Sequence, residues 1–161
     1  MKVFPPDNFT YHNENVAFSA YPDVENVRFL RDLGFRKFLN LCQTWPKHHE
    51  ALLGKELQLE VRHYPLSVGS YSFEPIDEER LRAILDFIVE THRKGSRIYM
   101  YDASGCNQVA LVSSVLRKIE GWDDVAVLSY YDRIAGSFST SFARRFLYDF
   151  DVSRWSKSYS R

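Results

Sequence analysis

The chain is poor in cysteine: Cys42 and Cys106 are its only two. Two thiols build no disulfide framework, which excludes a small extracellular scaffold held by bridges. Free thiols in a cytoplasmic protein are the expectation. An excess of either charge is also missing, since 21 Lys and Arg face 21 Asp and Glu. Non-specific binding to nucleic acid or to a membrane surface needs a basic surplus, so neither is expected as a partner. No apolar run approaches the roughly 20 residues of a membrane span. The opening Met1-Lys2-Val3-Phe4-Pro5-Pro6 has no apolar stretch after its lysine and does not read as a signal peptide. There is no internal repeat and no linker, so 161 residues are read as one domain. What the chain does have is aromatic residues, 12 Phe, 10 Tyr and 3 Trp, within 45% hydrophobic content. That composition supports a packed core and argues against disorder.

Strand and helix patterns alternate along the chain. Val16 to Ala20 reads as a short strand. Asp23 caps a helix carrying Val24, Val27, Leu30 and Leu33, and Gly34 stops it. Lys37 to Cys42 reads as a strand, Pro46 to Gly54 as a short helix, and Leu59 to Tyr64 as a strand. Ile76 to Lys94 is the clearest helix. Asp77, Glu78 and Glu79 are placed in its first turn and Arg93 and Lys94 in its last, matching the helix dipole. Ile98 to Tyr101 reads as a buried strand. The helix from Val109 to Glu120 is apolar on most sides and is expected to be central. Asp123 or Asp124 starts another helix, in which Tyr130-Tyr131 supplies one core ring and one surface ring. Phe142, Phe146 and Phe150, four apart, mark a last amphipathic helix. A Ser-, Arg- and Lys-rich tail, 153–161, is expected to fray. The expected fold class is α/β, with a mostly parallel sheet of about four or five strands between helical layers.

The segment Asp102-Ala103-Ser104-Gly105-Cys106-Asn107-Gln108 joins the buried strand to the central helix. A strand-to-helix loop with a central glycine suits a phosphate, because the first helix amides point into it. Such a loop at a strand's carboxyl end is also where α/β folds place their sites. Phosphate chemistry needs a nucleophile and a cation as well. This loop offers a carboxylate and an amide. Cys106 cannot be re-registered as the nucleophile of a Cys-x5-Arg motif, since Leu111 stands where the arginine would be. It reads as a free thiol at a helix start.

Several short motifs resemble, in order and spacing, the plant and fungal atypical dual-specificity phosphatases. These are a branch of the cysteine-dependent tyrosine phosphatase superfamily that includes the fungal Oca group. Pro5-Pro6-Asp7-Asn8-Phe9 is similar to the family's opening. Leu33-Gly34 and Phe38-Leu39-Asn40-Leu41-Cys42 are similar to its second strand and approach. Leu116-Arg117-Lys118, with Trp122 following, resembles the end of its central helix. Tyr131, Arg145-Phe146-Leu147 and Phe150-Asp151 resemble its last helices. The resemblance covers about Val3 to Asp151 and implies a tyrosine-phosphatase-like domain over 1–152. It also implies a signature His-Cys-x5-Arg loop. Counting back from Leu116-Arg117-Lys118, the histidine falls on Tyr101, the nucleophilic cysteine on Asp102 and the arginine on Gln108. The hydroxyl residue after it falls on Val109, and the glycine is kept as Gly105. Two further departures are Phe18, where an arginine is usual, and Ser70-Tyr71-Ser72-Phe73, where Lys-Glu-Pro-Phe is common.

A cysteine phosphatase needs a low-pKa thiolate and a bidentate arginine clamp. With both replaced, the resemblance implies a catalytically inactive pseudophosphatase, a binding or regulatory protein with no catalytic residues, no metal and no cofactor. Its expected company is an active phosphatase-family relative or another protein. The alternative is a weakly active or ligand-binding enzyme for phosphotyrosine-type or inositol (pyro)phosphate substrates. For Asp102 itself there are two expectations. Its carboxylate accepts the loop amides and closes the cradle to phosphate, or it points outward as a helix cap. The histidines are weak signals: His48 and His49 lie ~100° apart on a helix and make no metal pair, and His63 reads as a packed strand residue. His12 and His92 have no evident partner.

Overall fold

The computed structural model describes residues 3–44, 58–68 and 75–155. The expected helix from Pro46 to Gly54, the His48-His49 pair and the Ser70–Phe73 stretch lie outside them. Five strands and five α-helices follow in order: β1 (Thr10–Asn13), β2 (Val16–Ala20), α1 (Val24–Asp32), β3 (Phe35–Asn40), β4 (Glu60–His63), α2 (Glu78–Arg93), β5 (Arg97–Asp102), α3 (Gln108–Ile119), α4 (Asp124–Ala135) and α5 (Ser141–Asp149). The sheet order is β1-β2-β5-β3-β4. The pairs β2–β5, β5–β3 and β3–β4 are parallel. Among the described strands only β1 runs antiparallel, against β2. This is the α/β class expected, with β5 at the centre. The strand β1 follows an extended, proline-marked lead-in, residues 3–9, and is an addition to the elements expected.

Strand β5 shows how the sheet divides two cores. Ile98 and Met100 face one side, packing with residues of α2, α3, α4 and α5. Tyr99 and Tyr101 face the other, packing with Val27 and Leu30 of α1. Side chains alternate along a strand, so the next residue, Asp102, shares the face of Met100 and points at the start of α3. That parity aims the carboxylate before any contact is considered.

The helix starts follow their caps. Asp23 accepts from the Asn26 amide in a full capping box, Asp77 from Arg80, and Asp123 from Ala126. Asp77 is therefore a cap and not a first-turn residue. Helix α3 is buried from Gln108 through Leu116, as a central helix should be.

Three expectations need correction. Tyr130 and Tyr131 are both buried, because α4 is gripped between α3 and α5 and the two successive positions each find a neighbour. In α5 the core face is Ala143 and Leu147, while Phe142 is exposed. The four-residue spacing identified the helix, and Phe146 and Phe150 do pack on the core, so of the three it is Phe142 that faces out. The chain also does not fray at Ser153. A 3-10 turn, Val152–Arg154, carries Trp155 back into the core. There its ring lies 5.0 Å from Phe150 and 4.2 Å from the Arg82 guanidinium.

Candidate functional site

The segment between β5 and α3 is a compact loop organised by one side chain. Asp102 is fully buried. Its Oδ1 accepts from the backbone amide of Ser104 at 3.0 Å and from that of Gly105. Its Oδ2 accepts from the amides of Asn107 at 3.1 Å and Val109 at 3.0 Å. Four inward-pointing amides make an electropositive nest at the start of α3. The Asp102 carboxylate supplies the oxygens that satisfy them. The outward, capping conformation of Asp102 is thereby overturned, and Asn107 at the N-cap of α3 makes no side-chain cap bond.

Gly105 is required by the same geometry. Its φ is +76°, and an added Cβ would meet backbone carbon of Ser19 at 2.8 Å, with Ala20 N closer still. The loop therefore rests directly on the end of β2, where Ser104 bridges Ala20. The lead-in holds its flank. Asn8, in the left-handed region at φ +57°, donates through Nδ2 to the Ser104 carbonyl at 2.8 Å. The Asp7 carbonyl accepts from the Ala20 amide at 2.9 Å. Asn8 was legible only as part of the Pro5–Phe9 motif. Its role as a strap depends on a contact 96 residues away.

The remaining loop positions are chemically quiet. Tyr101 is buried, its ring 5.6 Å from Tyr21 and stacked at 5.5 Å on Tyr99. Gln108 is buried at the rim of a cleft. Both cysteines are free. Burial and then the nearby Asp102 carboxylate push the Cys42 thiol up to about 12. The same two causes raise the Cys106 thiol. Each shift runs opposite to what a nucleophilic cysteine requires.

The cleft over the loop has a volume of about 580 Å³. Tyr21 and Phe138 form aromatic walls, and Gln43, Thr44, Asn107 and Gln108 supply neutral polar groups. Among the described residues no Lys or Arg lines it. Nor do the described residues contain a group of three His, Cys, Asp or Glu placed to hold a metal. No helix among them is long and apolar enough to cross a membrane.

The triplet Leu116-Arg117-Lys118 turns out to be a structural staple. Arg117 donates to the His12 carbonyl at 2.5 Å and pairs with Glu120 at 3.0 Å. Lys118 donates to the Leu147 and Tyr148 carbonyls at 2.6 and 2.8 Å, closing the end of α5. His12, without an evident partner in the sequence, is buried between Ser113 Oγ at 2.7 Å and Glu120 Oε1 at 2.6 Å. His63 lies 2.7 Å through Nε2 from the Cys42 carbonyl.

Comparison with known proteins agrees with this architecture. The chain is similar to inositol diphosphatase DSP2 of Oryza sativa subsp. japonica, 25% identical over 152 residues, covering 94% of this chain and 73% of that one. It is 26% identical over 138 residues to the OCA1 protein of Yarrowia lipolytica, covering 85% and 54%. Among solved structures, the core catalytic domain of the PP-IP phosphatase SIW14 from S. cerevisiae, in complex with citrate, superposes with a TM-score of 0.84 at 20% identity, over 99% of this chain and 94% of that one. TpbA of P. aeruginosa, in complex with pTyr, gives 0.79 at 19% identity, over 100% and 95%. The family model described as "Tyrosine phosphatase family" matches residues 3–160. The chain belongs to the tyrosine phosphatase family.

Proposed function

We propose that this protein is a pseudophosphatase, a member of its family that binds and regulates without hydrolysing phosphate esters. The observation that carries this reading is the Asp102 carboxylate, seated on four loop amides at the place where a phosphoryl group would be held. A second anion there meets like charge and finds its donors already engaged. The chemistry supports the same reading. Both thiols are shifted upward, away from the thiolate that a nucleophile needs. No guanidinium faces the cleft among the described residues. Losing a preorganised charge-stabilising donor costs about 3–4 kcal/mol in the transition state, and here nucleophile and clamp are both absent. The protein then acts through association, with an active phosphatase-family relative as its partner.

The names of the relatives favour one alternative, a weakly active or ligand-binding enzyme for inositol (pyro)phosphates or phosphotyrosine-type substrates. A paired assay separates the two. Hydrolysis of para-nitrophenyl phosphate and of an inositol pyrophosphate is measured for the natural protein and for Asp102→Cys with Gln108→Arg. The expected result is no turnover by the natural protein, with anion binding or turnover gained by the double variant. Turnover by the natural protein that is lost in Asp102→Ala overturns the proposal.

A further inference from the structure

A second cavity, of about 380 Å³, shares no lining residue with the cleft. It lies between the lead-in with the start of β1, the Gly105-Cys106 edge of the loop, the end of α3 and the second half of α4. Its walls are Tyr11, Trp122, Tyr130 and Ile134, and its charged groups are Arg117 and Arg133. Among the described residues no Asp or Glu lines it. Volume, aromatic walls and a few convergent polar groups are the ordinary make-up of a small-molecule site.

The two guanidinium groups differ in how far they are already engaged. Arg117 lies 4.8 Å from the Trp122 ring centroid and 5.1 Å from that of Tyr130. Glu120 partly neutralises it at 3.0 Å. Its Nε is a buried donor with no hydrogen-bond partner among the described residues, an unmet demand of the kind a bound acceptor satisfies. Arg133 is exposed and lies 5.5 Å from the Tyr130 ring. None of the ion pairs among the described residues involves it. Stacking on rings holds such planar forks in place, so less side-chain freedom is lost when they grip an acceptor. Trp122 and Tyr11 remain 39% and 44% exposed, open to a flat apolar body. The contrast with the cleft is one of charge: the cleft has no described cation and an internal carboxylate beneath it, while two arginines line this cavity and Glu120 pairs with only one of them, Arg117.

We propose that this cavity is a separate binding site for a small ligand that presents an oxyanion, carboxylate or phosphoryl, on a planar apolar body. Arg133 supplies the main charge, Arg117 supports it, and Trp122 with Tyr11 contacts the body. The site is independent of whether the loop is catalytic.

The test is a titration of ¹⁵N-labelled full chain, followed by NMR, with benzoate, phenyl phosphate and neutral benzamide. The expected result is saturable shifts at the Cys106 and Tyr130 amides and the Trp122 indole with at least one of the two anions. Which anion binds more tightly identifies the oxyanion source. Benzamide should bind at least about tenfold more weakly, and Arg133→Gln should weaken the anion about tenfold, as loss of a charged hydrogen bond implies. Arg133 is exposed, so the variant's melting temperature should be unchanged. Cys106 adds an independent readout, slower alkylation in the presence of the bound anion. Absence of shifts with both anions at millimolar concentration overturns the proposal. So does benzamide binding equally well, an unaffected Arg133→Gln, or shifts confined to Ser104 and Gln108 in the cleft.

Discussion

Replacing Asp102 by alanine tests the central claim about the loop, because it removes one acceptor group from four donors at once. The amides of Gly105 and Val109 belong to buried residues, whereas Ser104 and Asn107 are half-buried and face the cleft. Water can replace the carboxylate at the latter two. The buried pair lose their partner outright. At about 1.5–2 kcal/mol for each hydrogen bond to a charged group, their loss costs about 3–4 kcal/mol. Relief of the buried carboxylate's own desolvation works in the other direction and places the expected value near the low end, about 3 kcal/mol. In a chain of this size that lowers the melting temperature by roughly 6–12 °C. Urea unfolding followed by tryptophan fluorescence measures it directly. The vacated nest should then accept an external anion. Phosphate or tungstate at about ten times its Kd should restore about 1.4 kcal/mol to the variant and nothing to the natural protein. A variant as stable as the natural protein, to within about 0.5 kcal/mol, would refute the assignment of Asp102 as the organiser of the loop. Equal stabilisation of both proteins by phosphate would refute the idea that the cradle is filled.

Three further outcomes follow from the same geometry. Gly105→Ala should destabilise by at least about 2 kcal/mol in urea unfolding, because the left-handed backbone and the Ser19–Ala20 backbone oppose a Cβ together. Cys106 should alkylate slowly at neutral pH, since burial and then Asp102 raise its thiol, and Asp102→Ala should speed the reaction by removing the carboxylate; an unchanged rate in the variant would count against that cause. Burial pushes the Glu120 carboxyl up, but hydrogen bonds from His12 and Arg117 outweigh it and hold it below its ordinary 4.5. A carboxyl depressed in the folded state stabilises above its unfolded value and loses that contribution as pH falls through the folded one. The stability difference between the natural protein and Glu120→Gln, less than about 1 kcal/mol at this half-exposed position, should therefore persist at pH 6 and shrink below about pH 4.5.

The strands and helices were legible because their signals are local. Asp23, Asp77 and Asp123 cap helices by bonding to amides three residues on. Val16 to Ala20 and Arg97 to Asp102 are short buried runs whose lengths suit strands. The family motifs were legible for the same reason, as short strings in order. The errors came where the outcome depended on neighbours distant in sequence. Phe142 is the spacing partner of Phe146, yet the face of α5 that turns inward is set by where α4 and α3 lie. Trp155 follows a polar stretch that looks like a tail, and only the Phe150 and Arg82 surfaces draw it in. His12 had no partner within reach in the sequence, because Ser113 and Glu120 lie 101 and 108 residues on, along α3 and at its end.

For the site, the sequence by itself determined the inventory: a carboxylate at the head of the loop, a glycine within it and an amide at its end. Alternation along β5 puts Asp102 on the face of Met100, but that this face meets α3 was decided by the packing. The tertiary structure alone decided that four amides converge on that carboxylate, that Gly105 presses against β2, and that Arg117 and Arg133 gather with Trp122 and Tyr11 in a separate cavity. Those are matters of how rigid elements are stacked, and the distances that make a hydrogen bond or an anion site exist only once the sheet and its two helical layers have closed.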